Sequence, residues 1–209
     1  MAVAVVTAPP AQDLLALDPA AQDLLFRRAR TANTFTDEPV DDDQLRAIHD
    51  LVRYGPTAMN AQPLRVLLLR SAQARARLLP YVSSGNRVKT AAAPLVAVLA
   101  ADIDWHERLP ELFPHRAQAR DGFAGDPDGR EEQARLNAAL QIGYFLVGVR
   151  AAGLAAGPMA GFDPAGVERE FWPDGRHRVL LLMNIGRPAA DAWRERLPRL
   201  SYPEVVRTL

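Results

Sequence analysis

Three short apolar runs stand out in the pattern of hydrophobic and polar positions along the chain. They cover 64–69, 95–101 and 179–185, are rich in leucine, valine and alanine, and are bounded by proline, glycine or charged residues. Runs of this length with such boundaries are typical of buried β-strands. The sequence therefore predicts a small sheet at the core.

Between these runs, apolar residues recur every three or four positions, as in amphipathic helices. Helices are predicted over four segments, 19–28, 43–54, 72–82 and 131–152, the first behind an Asp18 cap. The strands are too widely spaced for a regular strand-helix-strand series, and the phosphate-loop motifs GxGxxG and GxxxxGKS/T do not occur. The pattern predicts an α+β domain with helices in the majority.

Charge and composition exclude several classes of function. The 209 residues include 25 basic and 25 acidic side chains, so no net field attracts nucleic acid or an anionic membrane. The absence of cysteine excludes disulfides and thiolate chemistry and fits a reducing cytoplasm. The four histidines show no metal-ligand spacing, so we expect no metal. The expected partners are small molecules or further copies of the chain.

The length suits one compact domain, predicted over 11–209 behind a flexible tail over 1–10. The tail is apolar but lacks the basic residues and the length of a signal peptide. The most apolar internal stretch, 136–156, contains an asparagine, a glutamine and an arginine, which favours a buried helix over a membrane span.

The helix predicted over 131–152 has many small side chains: Ala138, Ala139, Gly143, Gly148, Ala151 and Ala152. Small side chains let a second helix approach closely. That second helix could belong to the same chain or to a dimer partner, and both alternatives remain open at this point.

A hydrophilic stretch over 104–130 combines prolines, glycines, aromatic residues and dense charge. This composition predicts short helices and loops lying over the body of the domain. The stretch, here called the covering segment, is either a substrate lid or a solvated surface excursion.

Cations and polar donors gather in two segments that suit a dianionic phosphate. Arg30 follows the first helix together with Thr31 and Asn33, and Arg196 and Arg199 lie near the C-terminus. Charge-assisted hydrogen bonds from arginine are the usual means of holding such an anion. Surface arginines without a ligand are the alternative.

Asn86 and Lys89 stand three residues apart in SSGNRVKT. On one helical turn they share a face, where an amide and an ammonium together would stabilise developing negative charge. Lys89 is the only lysine of an arginine-rich chain, which indicates a need for a compact point charge. A solvated turn with an idle lysine is the alternative.

Two further segments offer hydrogen bonds near a flat ligand. The stretch 157–162, GPMAGF, reads as a stiff turn in which Gly161 allows close approach and backbone amides are the useful donors. Thr57, Asn60 and Gln62 precede the first strand in YGPTAMNAQPLRV. A connecting turn is the alternative for each.

These elements occur in the order found in a known family. The chain from Arg30 to the C-terminus resembles the nitroreductases through RTANTFTDEPV, GPTAMNAQPLRVLLLR, SSGNRVKT, GLAAGPMAGFD, NIGRP and RLPRLS. More narrowly, TAMNAQP, SSGN, ERLPELFPH and GPMAGFD look like the malonic semialdehyde reductase branch of pyrimidine degradation.

The resemblance implies an α+β fold with a central, mostly antiparallel sheet flanked by helices. It also implies an intertwined homodimer with FMN at the interface. The FMN contacts that it implies are Arg30, Thr31, Asn33, Pro56, Thr57, Ala58, Asn60, Gln62, Asn86, Lys89, Pro158, Met159, Ala160, Gly161, Arg196 and Arg199. Lys89, Asn86, Ala160 and Gly161 would surround the reacting ring, and the contacts from Pro56 to Asn60 would come from the partner chain. Of the two C-terminal arginines, Arg199 is expected to reach the phosphate.

Two positions depart from the family pattern. Asn33 stands where many relatives carry a basic residue, so the phosphate would depend more on the arginines. Ala160 stands where many carry an acidic residue, so its amide is retained while the local negative charge is not.

The activity implied is transfer of hydride from NADH or NADPH, by a ping-pong cycle through FMN, to malonic semialdehyde, giving 3-hydroxypropionate. Candidates to bind the acceptor's carboxylate and oxygen are His106, Arg108, His115 and Arg116. The alternatives are a broad nitroaromatic or quinone reductase and a non-catalytic FMN-binding module.

Overall fold

A computed structural model describes residues 14–209, and its centre is an antiparallel sheet. In this part of the chain the four strands are β1 (Leu64–Leu69), β2 (Leu95–Asp102), β3 (Ala155–Met159) and β4 (His177–Gly186). Their order across the sheet is β1-β2-β4-β3, and every neighbouring pair is antiparallel. The three predicted strands and the α+β class are confirmed, with β2 and β4 slightly longer than expected.

The edge strand β3 was not predicted, and the interpretation of 157–162 as a simple turn is wrong. Residues up to Met159 pair with β4, with Gly157 opposite Asn184 and Pro158 opposite Met183. Proline lacks the N–H that a central strand must donate, but on an edge strand its nitrogen can face away from the sheet. Composition concealed this strand because glycine and proline are rare in sheets except at such positions.

The structure places nine α-helices within residues 14–209. They are α1 (Pro19–Gln22), α2 (Asp42–Val52), α3 (Ala72–Leu78), α4 (Ser84–Ala92), α5 (Leu109–Leu112), α6 (Ala119–Ala124), α7 (Pro127–Ala151), α8 (Pro164–Phe171) and α9 (Tyr202–Val205). A π-helical turn, Asp23–Arg27, continues α1, and the predicted Asp18 cap accepts from the amide of Ala21 at 2.9 Å. All four predicted helices are present, although 72–82 ends in a 3-10 turn, Leu79–Tyr81. The prediction omitted α8 and α9, and it gave α4 only as a single helical turn.

The sheet lies between two helical layers. On one face, Ile48 of α2 and Phe145 of α7 pack with Leu99 of β2. On the other face, Leu78 of α3 and Val167 of α8 pack against the sheet. All residues of β2 are buried, as a strand covered on both faces requires.

The small residues of α7 point in two directions. A Cβ on Gly148 would lie 2.3 Å from Val52, so this glycine lets α2 and α7 pack closely within the chain. Gly143 has open space around it, and Ala139 is exposed. The first alternative is therefore confirmed at Gly148, and the outward stripe is available to a second molecule.

The covering segment forms α5, α6 and two 3-10 turns, as its composition predicted. Trp105 and Leu109 bury it against α7, and its start is tied to the sheet by Asp102. Asp102 accepts from Arg65 Nη2 at 2.8 Å and from Arg176 Nε at 2.9 Å. An ion cluster thus anchors the covering segment where β2 ends.

The predicted flexible tail over 1–10 lies outside the described residues. Among residues 14–209, no helix combines the length and the apolar character needed to cross a membrane.

Candidate active site

Two of the segments singled out by sequence meet at the outward side of β3, here called the β3 edge (155–161). The amide of Ala32 donates to the carbonyl of Ala156 at 3.1 Å, and the amide of Asn33 donates to Ala192 at 3.0 Å. The 30–33 segment is therefore fixed beside the first half of β3. This contact places Arg30 and Thr31 at one end of the β3 edge.

The other end of the β3 edge meets the start of α4. The carbonyl of Gly161 accepts from the amide of Ser83 at 3.0 Å and from Asn86 Nδ2 at 3.3 Å. A Cβ on Gly161 would lie 2.7 Å from Asn86 Nδ2, so only glycine permits this approach without a shift. Lys89 follows on the next turn of the same helix. The structure thus brings together Asn86, Lys89 and Gly161, which the sequence had separated by 75 residues between Asn86 and Gly161.

Several hydrogen-bond donors at the α4 end of the β3 edge remain free to bind a ligand within the described part of the chain. Between residues 14 and 209, no carboxylate pairs with Lys89, and no backbone carbonyl accepts from the amides of Ala160 and Gly161. Ala160 is exposed and Lys89 is half-buried. An ammonium, two main-chain amides and the part of the Asn86 carboxamide that is not engaged by Gly161 are therefore available to a ligand.

The two ends are a ligand's length apart. Gly161 is five positions after Ala156, and extended chain rises about 3.3 Å per residue, so the two are at most ~16 Å apart. It carries arginine at one end and neutral donors with a single ammonium at the other. Such an arrangement suits an elongated ligand that has an anionic tail and a flat, hydrogen-bonding head.

The C-terminal segment closes the arginine end. Arg30 Nη1 donates to the carbonyl of Arg194 at 2.8 Å, and its guanidinium lies 6.0 Å from the ring centre of Trp193. Arg196 Nη2 donates to the carbonyl of Ala29 at 2.9 Å. Arg199 is exposed and reaches only the carbonyls just before it in sequence. Of Arg196 and Arg199, Arg196 is therefore the one that lies beside the 30–33 segment.

Arg150 was not recognised from the sequence, where it counted only as a charge in an apolar helix. It lies in the last turn of α7 and lines a cavity of about 610 Å³ together with Arg28, Arg30 and Trp193. Burial lowers the pKa of Arg150, and the charge of Arg196 lowers it further. The carboxylate lining this cavity is that of Asp23, which already pairs with Arg28 at 2.9 Å. The cavity is thus positively charged, as an anion site requires.

The 56–62 loop is held in an unusual conformation. Met59 and Asn60 each have φ of 52°, and Gln62 has φ of 44°, although none of them is glycine. Left-handed backbone in such residues costs about 1–3 kcal/mol each, less for asparagine, and clusters at functional sites. The hydroxyl of Thr57 accepts from the amide of Gln62 at 3.2 Å and closes the loop.

The 56–62 loop does not join the β3 edge within one protomer. It leads into β1, whereas β3 is at the opposite margin of the sheet. Three spacings of about 4.8 Å separate these outer strands by ~14 Å across the sheet. Pro56, Ala58 and Asn60 are exposed. They face outward, as the expected contribution to a partner's site would require.

His106 does not fit its expected part in binding an acceptor. It is 6% exposed within the covering segment, with Nε2 3.5 Å from Arg130 Nη1. Burial lowers the pKa of His106, and the charge of Arg130 lowers it further. The imidazole is therefore held neutral and out of contact with solvent.

The other three candidates of the covering segment differ in whether their side chains already have partners within the described chain. Arg108 is engaged by both carboxylate oxygens of Glu111, at 2.8 and 2.9 Å. The ring of His115 packs 3.9 Å from that of Phe113, centre to centre. Arg116 is exposed and has no ion pair among residues 14–209. Of the four, Arg116 is the cation most available to a ligand.

A substitution at Gly157 tests how closely the 30–33 segment packs against β3. Because a Cβ there would lie 2.7 Å from the carbonyl oxygen of Ala32, we expect Gly157→Ala to push the segment away and to destabilise the protein by about 1–3 kcal/mol. Urea denaturation measures the effect. In the control Gly122→Ala, nothing lies within 4 Å of the new methyl group, and a helical position gains about 0.5–1 kcal/mol. Equal stability of the two variants would contradict the close contact.

Comparisons with known proteins agree on one family. Residues 26–187 match the model of the nitroreductase family. A Streptomyces coelicolor protein, provisionally named an NADH dehydrogenase/NAD(P)H nitroreductase, is 63% identical over 195 residues, which are 93% of this chain and 99% of that protein.

Solved structures match the fold at lower identity. A Bacillus subtilis protein, described as a candidate nitroreductase, has a TM-score of 0.78 at 21% identity and covers 91% of this chain and 99% of its own. A candidate nitroreductase from Exiguobacterium sibiricum, solved in complex with FMN, has a TM-score of 0.80 at 18% identity, with 93% and 98% covered. At these identities, the two structures show only that the fold is shared.

Proposed function

Because this chain belongs to the nitroreductase family, we propose that it is an FMN-dependent NAD(P)H oxidoreductase whose flavin lies along the β3 edge. One observation carries the proposal: Asn86 and Gly161 are joined at one end of the β3 edge, beside Lys89, which has no ion pair among residues 14–209, while Arg30 lies at the other end. The names of the relatives support NAD(P)H as the reductant, and a structure of the same fold contains FMN.

The residues present fit the cofactor. Arg30, Thr31 and Asn33 would hold the phosphate, with Arg196 beside them and Arg150 adding positive charge. The spacing along β3 suits the ribityl chain, and the exposed backbone at Ala160 is open to a flat ring. The opposite arrangement, with carboxylates at either end, would have excluded a phosphate ester.

The chemistry expected is hydride transfer in two half-reactions. Bound FMN supplies an acceptor for hydride from NAD(P)H and then a donor of hydride to a second substrate. Lys89 and Asn86 would stabilise negative charge on the pyrimidine edge of the ring, and the amides of Ala160 and Gly161 would donate to its central edge. No side chain of this site is required to act as a covalent nucleophile.

We propose a homodimer in which the partner's 56–62 loop completes each site. The outward face of α7 carries Leu136, Leu140 and Tyr144, which are 57%, 49% and 47% exposed, with Ala139 and Gly143 between them. A helix face of large and small apolar residues on this scale is typical of an interface. Light scattering after gel filtration would measure the mass, and a monomer at micromolar concentration would contradict this part.

For the acceptor, we propose malonic semialdehyde, with Arg116 binding its carboxylate. The residue motifs of the covering segment support this choice, and Arg116 lacks an ion pair among residues 14–209. The names of the relatives reported above describe nitroreductases, so a broad nitroaromatic or quinone reductase is the alternative. Comparing kcat/KM for malonic semialdehyde and for a nitroaromatic decides between the two.

The Arg116→Ala variant separates these acceptors. We expect KM for malonic semialdehyde to rise about tenfold, since one charge-assisted hydrogen bond is worth roughly 1.5–3 kcal/mol, while KM for an uncharged nitroaromatic stays the same. Arg120→Ala is the control, because this exposed arginine pairs with Asp121. An equal fold increase in KM for malonic semialdehyde and for the nitroaromatic would contradict a role for Arg116 in binding the carboxylate.

The central experiment is a visible spectrum of the purified protein after addition of FMN and removal of the excess. A retained yellow absorption band supports the proposal, and absence of the band contradicts FMN binding. Anaerobic addition of NADH or NADPH should then bleach the band. Retention without bleaching would instead support a non-catalytic FMN-binding module. The reducing cytoplasm remains the predicted location.

A further inference from the structure

Asn137 lies on α7, directly behind the 56–62 loop, and it is only 2% exposed. Its Oδ1 accepts from the amide of Ala58 at 2.7 Å, and its Nδ2 donates to the carbonyl of Gln133 at 2.8 Å. Each end of the carboxamide therefore has its own partner. The side chain cannot turn over without losing both hydrogen bonds.

The amide of Ala58 immediately precedes the two left-handed residues, Met59 and Asn60. These residues form a single 3-10 turn in which the amides of Asn60 and Ala61 donate back along the loop at 3.1 Å. A short turn of this kind does not hold left-handed backbone by itself, because most L-residues leave that region when they are free to do so. Asn137 is the contact that ties the entry of the turn to a long, well-packed helix.

The loop is also tied on its far side. Asn60 Nδ2 donates to the carbonyl of Leu112 in the covering segment at 2.9 Å, and Asn60 Oδ1 accepts from Gln62 Nε2 at 2.9 Å. This second set of contacts involves exposed atoms, whereas the bond from Ala58 is sheltered by α7. A sheltered hydrogen bond resists competition from water.

We infer that Asn137 is a positioning residue, which holds the strained 56–62 loop in the shape that presents Pro56, Ala58 and Asn60 to the flavin site of a second protomer. The inference rests on the proposed function for the identity of the ligand. Asn137 itself touches no ligand, since α7 and the loop enclose it. Its effect is on the shape of the loop and, through the loop, on the affinity for FMN.

Gln141 provides a matched control one helical turn further along α7. Its Oε1 accepts from the amide of Leu64 at 2.9 Å, which is also a hydrogen bond from a helix carboxamide to this part of the backbone. Leu64 already belongs to β1, where it pairs with Ala101. Loss of the Gln141 bond therefore removes a similar contact without releasing the left-handed turn.

The experiment compares Asn137→Leu, Asn137→Asp and Gln141→Met with the wild-type protein. Affinity for FMN is measured on the apoprotein by quenching of flavin fluorescence, and hydrogen exchange of the peptide over 56–62 is followed by mass spectrometry. We expect Asn137→Leu to raise the Kd for FMN about tenfold, which equals ~1.4 kcal/mol, and to accelerate exchange over 56–62. Asn137→Asp keeps an oxygen for Ala58 but sets its other oxygen against the carbonyl of Gln133, so it should recover only part of the affinity.

Gln141→Met is expected to change the Kd by less than about threefold, and to leave exchange over 56–62 as in the wild type. Equal weakening by Asn137→Leu and Gln141→Met, or unchanged exchange in Asn137→Leu, would overturn the inference. If the wild-type protein itself bound no FMN, the proposed function would fail, while the exchange data alone would still decide whether Asn137 holds the loop.

Discussion

Replacing Asp102 with asparagine is expected to lower the free energy of unfolding by about 3 kcal/mol. The carboxylate is 2% exposed and is held by Arg65, by Arg176 and by the amide of Asp104 at 2.9 Å. Removing one partner of a buried ion pair costs about 3–5 kcal/mol. The lower figure applies because both arginine side chains are about one-third exposed and water screens them in part.

The effect of Asp102 should depend on pH. Burial alone would raise the pKa of this carboxyl, but the hydrogen bonds from Arg176 and Asp104 and the charge of Arg65 outweigh burial and hold it below 3.8. A carboxyl with a lowered pKa in the folded state stabilises the protein above its ordinary pKa, and this stabilisation is lost as the pH falls through the folded value. The gap between wild type and Asp102→Asn should therefore be full near pH 7 and narrow below about pH 4.

Thermal and urea denaturation of both proteins measure this gap, which corresponds to a lowering of Tm by ~6–12 °C for a chain of this size. Glu111→Gln is the matched control, since it makes the same change in an exposed pair with Arg108. Exposed pairs contribute about 0–1 kcal/mol. A loss in Asp102→Asn as small as that in Glu111→Gln would show that the cluster does not anchor the covering segment.

Replacing Lys89 with methionine is expected to lower kcat/KM by about a hundredfold. In the proposed mechanism its ammonium stabilises negative charge that appears only as hydride reaches the ring, and removal of one such donor costs about 10²–10³ in rate. The lower figure suits a half-buried side chain. Methionine keeps the length and apolar stem of lysine, so the change is mainly one of charge.

Stopped-flow reduction by NAD(P)H measures this effect on variant protein whose bound flavin has been confirmed by its spectrum. Lys89→Arg retains a cation and should recover part of the rate, although the planar guanidinium distributes its charge differently. Arg169→Met removes an exposed charge outside the site and should react as the wild type does. A normal rate in flavin-loaded Lys89→Met would remove Lys89 from the mechanism.

The parts of the fold that consist of continuous apolar runs could be predicted from the sequence. The run 64–69 and the long apolar stretch of α7 can be found in this way, because burial of a continuous apolar surface favours regular structure in both. Strand β3 could not be found in this way, since Gly157 and Pro158 are favourable only at an edge covered by another segment. The 30–33 segment covers this edge, but Ala32 is 124 residues away in sequence from Ala156, and local patterns carry no information about their contact.

The candidate site likewise contains residues that could be predicted from the sequence and residues that could not. Asn86 and Lys89 could be paired in advance because one helical turn joins them, and a hydrogen bond links Asn86 to Gly161. Arg150 and Asn137 were missed, because in sequence each was only a polar interruption of an apolar helix. Their surroundings are set by tertiary packing, in which a charge lines a cavity and an amide meets the backbone of a distant loop.

The contact between the 30–33 segment and β3 has a second consequence, for solubility. An open sheet margin presents unpaired amides and carbonyls on which a foreign strand can add, and this is a common route to aggregates. Here the proline in β3 removes one donor, and the amide of Ala32 occupies the carbonyl of Ala156. The contacts that cover the β3 edge thus block the addition of a further strand alongside β3. A variant that weakens the contact between the 30–33 segment and β3 should precipitate at concentrations at which the wild type stays dissolved.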